Sequence, residues 1–434
     1  MGAAVKERLK AAYRATAEAL RRKDLAALLF TAIAAGWLLT LPFILIGGPN
    51  YFYDLFFNHA IDTFMDFFNS ARDASLFDGV YIERGVIYPP LANLIFLIFA
   101  RLMPTEYMAT EFDERLQWPH YPGAIAVSLV YLAVTAAAVV LLYRRTFAGR
   151  ARWLMVLGCL AALCNISTVY GMERGNLVLL STAATAYFCL TFDAESKKLR
   201  EAGLVALAFA TALKLYPIVF AWMLLTEKRY WEIVRLALYT TVLFIAPSFF
   251  FGGPVCFLWM AFNALVFFAW RSGVGGAILW DTITNSVVSI LFWIAVVGAP
   301  FVPYLFKKRW HVFAYFSVVL AAALPLQSVY GCMILWAPMW MGIFEEKTLT
   351  WKNARYFVPM GMLFVPLVNP WYGMKALHQV LLPVWLTILL CAYLTDLVIA
   401  ALRYWREKRN PAPVTGVPAG EENTDTKTKG ESHE

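Results

Sequence analysis

Charge is scarce in this sequence. Asp, Glu, Lys and Arg make up 15% of the 434 residues and 61% are hydrophobic, whereas a soluble domain carries about 25% charged residues. That balance excludes an ordinary soluble domain. Cysteine and histidine are sparse as well. The six cysteines (Cys159, Cys164, Cys189, Cys256, Cys332 and Cys391) and five histidines are dispersed, without a CxxC pair or a matching histidine spacing. A zinc site and a disulfide framework are therefore not encoded, and the cysteines read as small packing residues. HExxH, GxSxG and GxxxxGK are all missing, so no zincin helix, nucleophile elbow or P-loop is expected. The strand alternation of an outer-membrane barrel is missing too. What is present is apolar sequence in runs of roughly membrane-spanning length. The fold class is an all-α polytopic membrane protein with about 10–12 transmembrane or re-entrant helices.

The net charge of +8 is concentrated between those runs. Basic clusters fall at Lys6–Lys23, Arg144–Arg152, Lys197–Arg200, Lys228–Arg235, Lys307–Arg309, Lys347–Arg355 and Arg403–Arg409. The positive-inside rule places all of them in the cytoplasm. A first span over about 25–47 then delivers an acidic, aromatic loop, 48–120, to the outside. Its apolar piece Leu91–Met103 ends at Pro104 and is expected as a short helix in the outer interface. The remaining spans are expected near 121–143, 152–170, 176–192, 235–251, 287–305, 312–327, 330–344, 356–370 and 380–400, which leaves both termini cytoplasmic. Residues 1–24 form a basic amphipathic segment with Val5, Leu9, Ala12, Tyr13 and Leu20 near one face. It suits a helix on an anionic membrane surface, and equally an ordinary basic flank. Residues 25–403 form the transmembrane domain. Residues 404–434 are a polar, Pro/Gly-rich tail expected to be disordered.

One stretch resists this bookkeeping. "ALAFATALKLYPIVFAWMLL" (206–225) is apolar except for Lys214, with Pro217 three residues on. A charge at the bilayer centre costs at least ~2.5–3.5 kcal/mol on insertion scales, and proline breaks the helical hydrogen-bond ladder. Basic clusters flank the stretch on both sides, so one crossing cannot satisfy them. A re-entrant hairpin with Lys214 at its tip, facing a polar cavity, satisfies both. The alternative is a single kinked span whose lysine snorkels.

On this topology the polar residues gather at the outer face. The first loop carries Asp54, Asp62, Asp66, Asp73, Asp78 and Glu83 with Arg72 and Arg84. "YGMERGN" carries Glu173, Arg174 and Asn176. A loop after Phe251 carries Arg271, Asp281, Asn285 and Ser286. Such a face suits a substrate with a charged head and a lipid tail. On pattern alone Asp66 also fits a solvated acidic face, because Phe64, Phe67, Phe68 and Ala71 make an apolar stripe beside it. Arg174 also fits a surface pair with Glu173. "NIS" at 165–167 matches a glycosylation acceptor but sits at a helix end. The acids show no metal-ligand spacing, so no cofactor is expected.

The order of pieces is the more specific signal. "MDFFNSARDAS" precedes "VIYPPLANLIFLIFARLMP", then "ERGNLVLL", "ALKLYPIVFAWMLLTEKRYW", "ITNSVVSIL" and "LPLQSVYGCMILWAPM". This order resembles glycosyltransferase family 87, a branch of the C-type superfamily of polytopic enzymes that use polyprenyl-phosphate sugars. The resemblance runs from the first span to about residue 345 and rests on Tyr88-Pro89-Pro90, Arg174-Gly175-Asn176 and Lys214-Leu215-Tyr216-Pro217 taken together. It implies Asp66 as the first-loop general base. With the reading above it gives Lys214, Arg174 and Arg271 to the donor phosphate, and Asp73, Tyr88, Asn176, Tyr216, Asn285, Ser286 and Tyr330 to substrate contacts. Thr284 and Asn285 depart from the family's Asn-Gln-Ser spelling. Gln327-Ser328-Val329-Tyr330 stands where relatives often carry Ser-Trp-His-His, which leaves the sugar and acceptor open. The implied reaction moves a sugar, mannose by family precedent, from a polyprenyl-phosphate donor to a lipid or glycan acceptor. It inverts the anomeric centre at the extracytoplasmic face of a bacterial cell membrane. The implied partners are these substrates and membrane lipids, with no nucleic acid. Two other classes share the hydrophobicity: a transporter or flippase of a lipid-linked saccharide, and a lipid-diphosphate-dependent glycan polymerase or ligase. The first usually shows repeated halves, which this chain does not. The second differs in having two donor phosphates.

Overall fold

The computed structural model describes residues 18, 22–56, 63–109, 118–274, 287–323, 329–367 and 377–409. The principal helices are α1 (Leu25–Phe56), α2 (Met65–Ala74), α3 (Pro90–Ala100), α4 (Pro122–Tyr143), α5 (Arg152–Cys164), α6 (Ile166–Arg174), α7 (Val178–Thr191), α8 (Lys197–Leu213), α9 (Tyr230–Ser248), α10 (Cys256–Val274), α11 (Val287–Gly298), α12 (Arg309–Ala323), α13 (Trp336–Glu346), α14 (Trp351–Met362) and α15 (Leu377–Arg409), joined by short helical turns. Among the described residues β-pairing is limited to an isolated bridge between Asp24 and Thr348. The chain is an all-α membrane protein, as the composition implies. The amphipathic segment before Glu18, the tail from Asn410 and the calls on Asp62, Asp281, Asn285, Ser286 and Gln327-Ser328 lie outside the described residues.

Fewer helices cross unaided than the hydrophobic runs suggest. Leu25–Ile46, Pro122–Phe147 and Leu381–Arg406 are long and apolar enough alone. Two bent pairs pass together, α5 with α6 at 52° and α9 with the first part of α10 at 107°. Five further apolar helices, α3, Val178–Thr191 and Arg309–Ala323 among them, have 10–17 residues. The reason is visible in α7. Its 14 residues reach about 21 Å, short of a hydrocarbon core of about 30 Å, yet nearly all its side chains are buried. A helix wrapped by protein on every side can end inside the bundle, because its terminal backbone groups meet protein rather than lipid. The stretch after Phe251, expected as an outer loop, instead forms α10. "FLWMAFNALVFFAW" is helical apolar sequence whose side of the membrane charge counting could not assign.

The bend at Asn165 has a local cause. Its amide nitrogen donates to the carbonyls of Ala161 (3.0 Å) and Ala162 (2.8 Å), the end of α5, and its oxygen accepts from Thr168 N (3.0 Å), the start of α6. One side chain therefore caps both helices. Asn165 is fully buried, which excludes the glycosylation reading of "NIS".

Contacts between distant segments collect the basic clusters at one end of the bundle. Leu25 N donates to Lys347 O (2.9 Å) and Leu349 N to Lys23 O (2.8 Å). Arg150 lies 4.4 Å from the Phe344 ring centroid, and Lys308 pairs with Glu345 and Glu346. Arg309 pairs with Asp193 and Glu227, and Arg229 Nη1 donates to Phe192 O at 2.9 Å. The two flanks of the Lys214 stretch meet directly: Arg200 with Glu232 (3.7 Å) and Arg235 with Glu201 (3.3 Å). From this end α8 runs 17 residues, about 25 Å, before it stops at Lys214. The chain then returns through the turn Tyr216–Ala221 and the short helix Trp222–Thr226 to the same end. The hairpin expected from charge is the geometry observed.

Two apolar clusters meet above this hairpin. The larger centres on α12, α13 and α15, with Trp310, Trp336, Trp340 and Tyr393 buried. The smaller is aromatic and joins α2, α3 and α4 through Phe67, Phe68, Phe96 and Tyr131. At the start of α7, Leu177 and Leu180 belong to the smaller cluster and Val178 and Leu179 to the larger, so this turn is the seam between them.

The hairpin predicts labelling from one side. In a background without the native cysteines, Glu195→Cys and Trp231→Cys are expected to react with an impermeant maleimide from the same membrane face. Reaction from opposite faces would mean that the Lys214 stretch crosses.

Candidate active site

The site is built on the seam. α2 begins at Phe64, which adopts a left-handed conformation (φ 64) and donates its N–H to Glu173 O at 2.8 Å. The Phe67, Phe68, Ala71 and Ala74 side chains of α2 are buried among rings that include Tyr131, at 4.4 Å from Phe67, and Trp118, at 5.3 Å from Phe68. That packing fixes the helix rotation and leaves Asp66 on the face toward the "ERGN" turn.

Each residue of this turn has a separate task. Arg174 ends α6, and its Nη2 donates to Asp66 Oδ1 at 2.7 Å. Gly175 takes φ +66, and a Cβ there would lie 2.5 Å from Phe67 Cβ. Both the backbone and the space demand glycine. Its carbonyl is held by Tyr131 Oη at 2.8 Å. Asn176 accepts from Val178 N through Oδ1 (2.9 Å), which turns its Nδ2 toward Asp66 Oδ2 at 2.8 Å. The same Nδ2 lies 3.4 Å from Tyr330 Oη, and Tyr330 stacks on Tyr170 with centroids 5.9 Å apart. Both Asp66 oxygens are thereby oriented. Each oxygen has two lone pairs, so each can accept one more proton donor.

Lys214 closes the other side. Its backbone is extended (φ −145, ψ 130), because α8 gives way before Pro217. Its Nζ stands 3.9 Å from the Tyr88 ring centroid, a cation–π contact that holds the ammonium while leaving its hydrogen-bond donors available. Asp66 is near enough to attract it directly. Tyr88 is itself anchored: its carbonyl accepts from Tyr81 Oη (2.9 Å), and Asn93 Nδ2 donates to Tyr81 Oη (2.9 Å). The Tyr88 hydroxyl lies beside Asn176 and Ser70, and Tyr216 beside Ser181, Tyr330 and Tyr88. One acid thus faces two bases, and the site carries a surplus of positive charge.

Of the residues named from sequence, the structure brings together Asp66, Arg174, Asn176, Lys214, Tyr88, Tyr216 and Tyr330. Asp73 lies two turns along α2, 3.8 Å from Arg84, and is not part of the cluster. The side chain of Arg271, like Asn285 and Ser286, lies outside the described residues. Sequence reasoning missed Tyr131, Tyr81, Asn93 and Tyr170, which hold the others in place. It also missed Asn263, whose Nδ2 donates to Tyr81 O (2.8 Å) and Val86 O (3.2 Å). A polar residue inside an apolar helix was the available signal for Asn93 and Asn263. Among the described residues no group of three or more His, Cys, Asp or Glu is placed to hold a metal ion.

Fold and site together define a polytopic helical membrane protein with a carboxylate–cation pocket at one end of its bundle. Residues 87–299 match the model of glycosyltransferase family 87. That match places the chain in glycosyltransferase family 87 and makes it a membrane glycosyltransferase. The matched stretch contains Tyr88, Arg174, Asn176, Lys214 and Tyr216, whereas Asp66 and Tyr330 join them through geometry. No curated protein and no solved structure matches the chain.

A hydrogen bond to a charged group is worth about 1.5–3 kcal/mol, and Asn176→Ala removes one from Asp66. The expected loss in transfer rate is about 10- to 150-fold by that energy, read in a sugar-transfer assay beside the melting temperature. Gly175→Ala is expected to lower both, through strain at φ +66 and the clash with Phe67.

Proposed function

We propose that the protein transfers a sugar, mannose in the first instance, from a polyprenyl-phosphate donor to a hydroxyl of a lipid or glycan acceptor at the extracytoplasmic face. The observation that carries this reading is Asp66 held on both oxygens by Arg174 and Asn176, with the Lys214 ammonium beside it.

The acceptor hydroxyl gives its proton to Asp66 as its oxygen bonds to the anomeric carbon. The bond from that carbon to the phosphate oxygen breaks, and polyprenyl phosphate leaves with the electron pair. One displacement inverts the anomeric centre. A positioned base contributes typically ~10²–10⁴ in rate. The donor is a phosphodiester with one negative charge, and the departing monoester gains more. The surplus cation therefore binds the transition state more tightly than the ground state, which lowers the barrier. Lys214 takes that role, since the Arg174 guanidinium is engaged with Asp66. Arg174 and Asn176 orient the base, and Tyr88 positions the lysine. A single surplus cation suits one phosphate better than two, which favours a monophosphate donor over a lipid diphosphate. The site lies about 25 Å along α8 from the basic end, so a cytoplasmic basic end puts the site at the opposite headgroup layer.

The test incubates the purified protein in nanodiscs with polyprenyl-phosphate mannose and a panel of lipid and glycan acceptors, and measures released polyprenyl phosphate by mass spectrometry. Acceptor-dependent release is expected, reduced about 10²–10⁴-fold in Asp66→Asn and about 10²–10³-fold in Lys214→Gln. Release unchanged in Asp66→Asn would move the base elsewhere. No release with any acceptor would favour a transporter of the same lipid.

A further inference from the structure

A second feature at the same end of the bundle is unused by this chemistry. A groove of about 520 Å³ is lined by Phe77, Leu94, Leu97, Ile98 and Phe250, with Arg101 as its one charged wall. The Arg101 guanidinium lies 5.1 Å from the Phe77 ring centroid and pairs with no carboxylate among the described residues. The surface around it is apolar: Ile98 is 55% exposed, Leu102 60%, Phe249 69% and Phe250 52%.

The level of this arginine follows from α4. Phe99, two residues earlier, packs 5.3 Å from the Tyr131 ring, and Tyr131 holds Gly175 of the site. From Tyr131 to Phe147, near the basic end, α4 and its last turn extend about 24 Å. An exposed guanidinium ringed by exposed apolar side chains at that distance belongs where hydrocarbon meets headgroup phosphates. Arginine pairs strongly with phosphate there. The donor's phosphate does not fit this position. It is required at Lys214, on Tyr88, and the full length of α3, about 16 Å, separates Tyr88 from Arg101.

We propose that the groove seats one acyl chain of a glycerophospholipid whose phosphate pairs with Arg101, a lipid distinct from the sugar donor. Charge complementarity at the mouth and hydrocarbon along the walls select a lipid with both parts. A neutral lipid offers only the second.

The full-length protein in nanodiscs is photolabelled with phosphatidylglycerol carrying a diazirine in one acyl chain, and the adducts are mapped by peptide mass spectrometry. Adducts are expected on the peptides carrying Leu94–Arg101 and Phe250, at least tenfold above those from diacylglycerol with the same label. Arg101→Gln is expected to reduce them to the diacylglycerol level, Arg101→Lys to retain most, and Ile98→Trp to reduce them by filling the groove. Lys214→Gln is expected to leave them unchanged, which keeps this test independent of sugar transfer. Equal labelling by the two lipids, or labelling unaffected by Arg101→Gln, would reduce the groove to ordinary bilayer contact. Loss of the adducts on adding polyprenyl phosphate would assign the groove to the donor and overturn the proposal.

Discussion

The bonds from Arg174 and Asn176 to Asp66 tie together parts of the chain more than a hundred residues apart. They work only if α2, the end of α6 and the start of α7 meet within a few tenths of an ångström. Much of the surrounding structure serves that meeting. The aromatic cluster under α2 fixes its rotation, Tyr131 and Phe64 hold the "ERGN" backbone, and glycine at 175 lets the turn lie against Phe67. Buried side chains packed at this density move little, so the carboxylate is presented in one geometry before any substrate arrives. Preorganisation of this kind contributes most when charge develops in the reaction.

Lys214 is the complementary constraint. A lone cation deep in a helical bundle is costly, and several features offset that cost. The ammonium rests on the Tyr88 face, Asp66 lies nearby, and the break before Pro217 takes the residue out of the α8 ladder so that it faces the site. The hairpin itself is anchored about 25 Å away, where Arg200, Glu201, Glu232 and Arg235 clasp its two flanks. The basic end therefore does more than set orientation. It closes the hairpin whose tip carries the lysine.

The hairpin was legible in the sequence because flanking charges of one sign cannot be satisfied by one crossing. Most of the site residues were legible too, as polar residues inside aromatic or apolar runs. Asp66 and Tyr330 gained their meaning from family order, since their local patterns also fit plain surface or packing roles. What could not be read was the number of complete crossings, because α7 and α12 are short helices buried within protein and obey no hydrocarbon length. The helix after Phe251 was hidden for a related reason: few charges mark which side it faces. The supporting shell of Tyr81, Asn93 and Tyr131 was also invisible. Its bonds run between segments that periodicity alone does not bring together.

The central claim is that Arg174 acts through Asp66 rather than beside it. A double-mutant cycle of Asp66→Asn and Arg174→Gln, read as acceptor-dependent transfer rate, tests that most directly. Residues that act as a unit are strongly non-additive. The account predicts that the double mutant is about as slow as Asp66→Asn alone. Multiplication of the two single losses would contradict it and give Arg174 a separate role toward the donor.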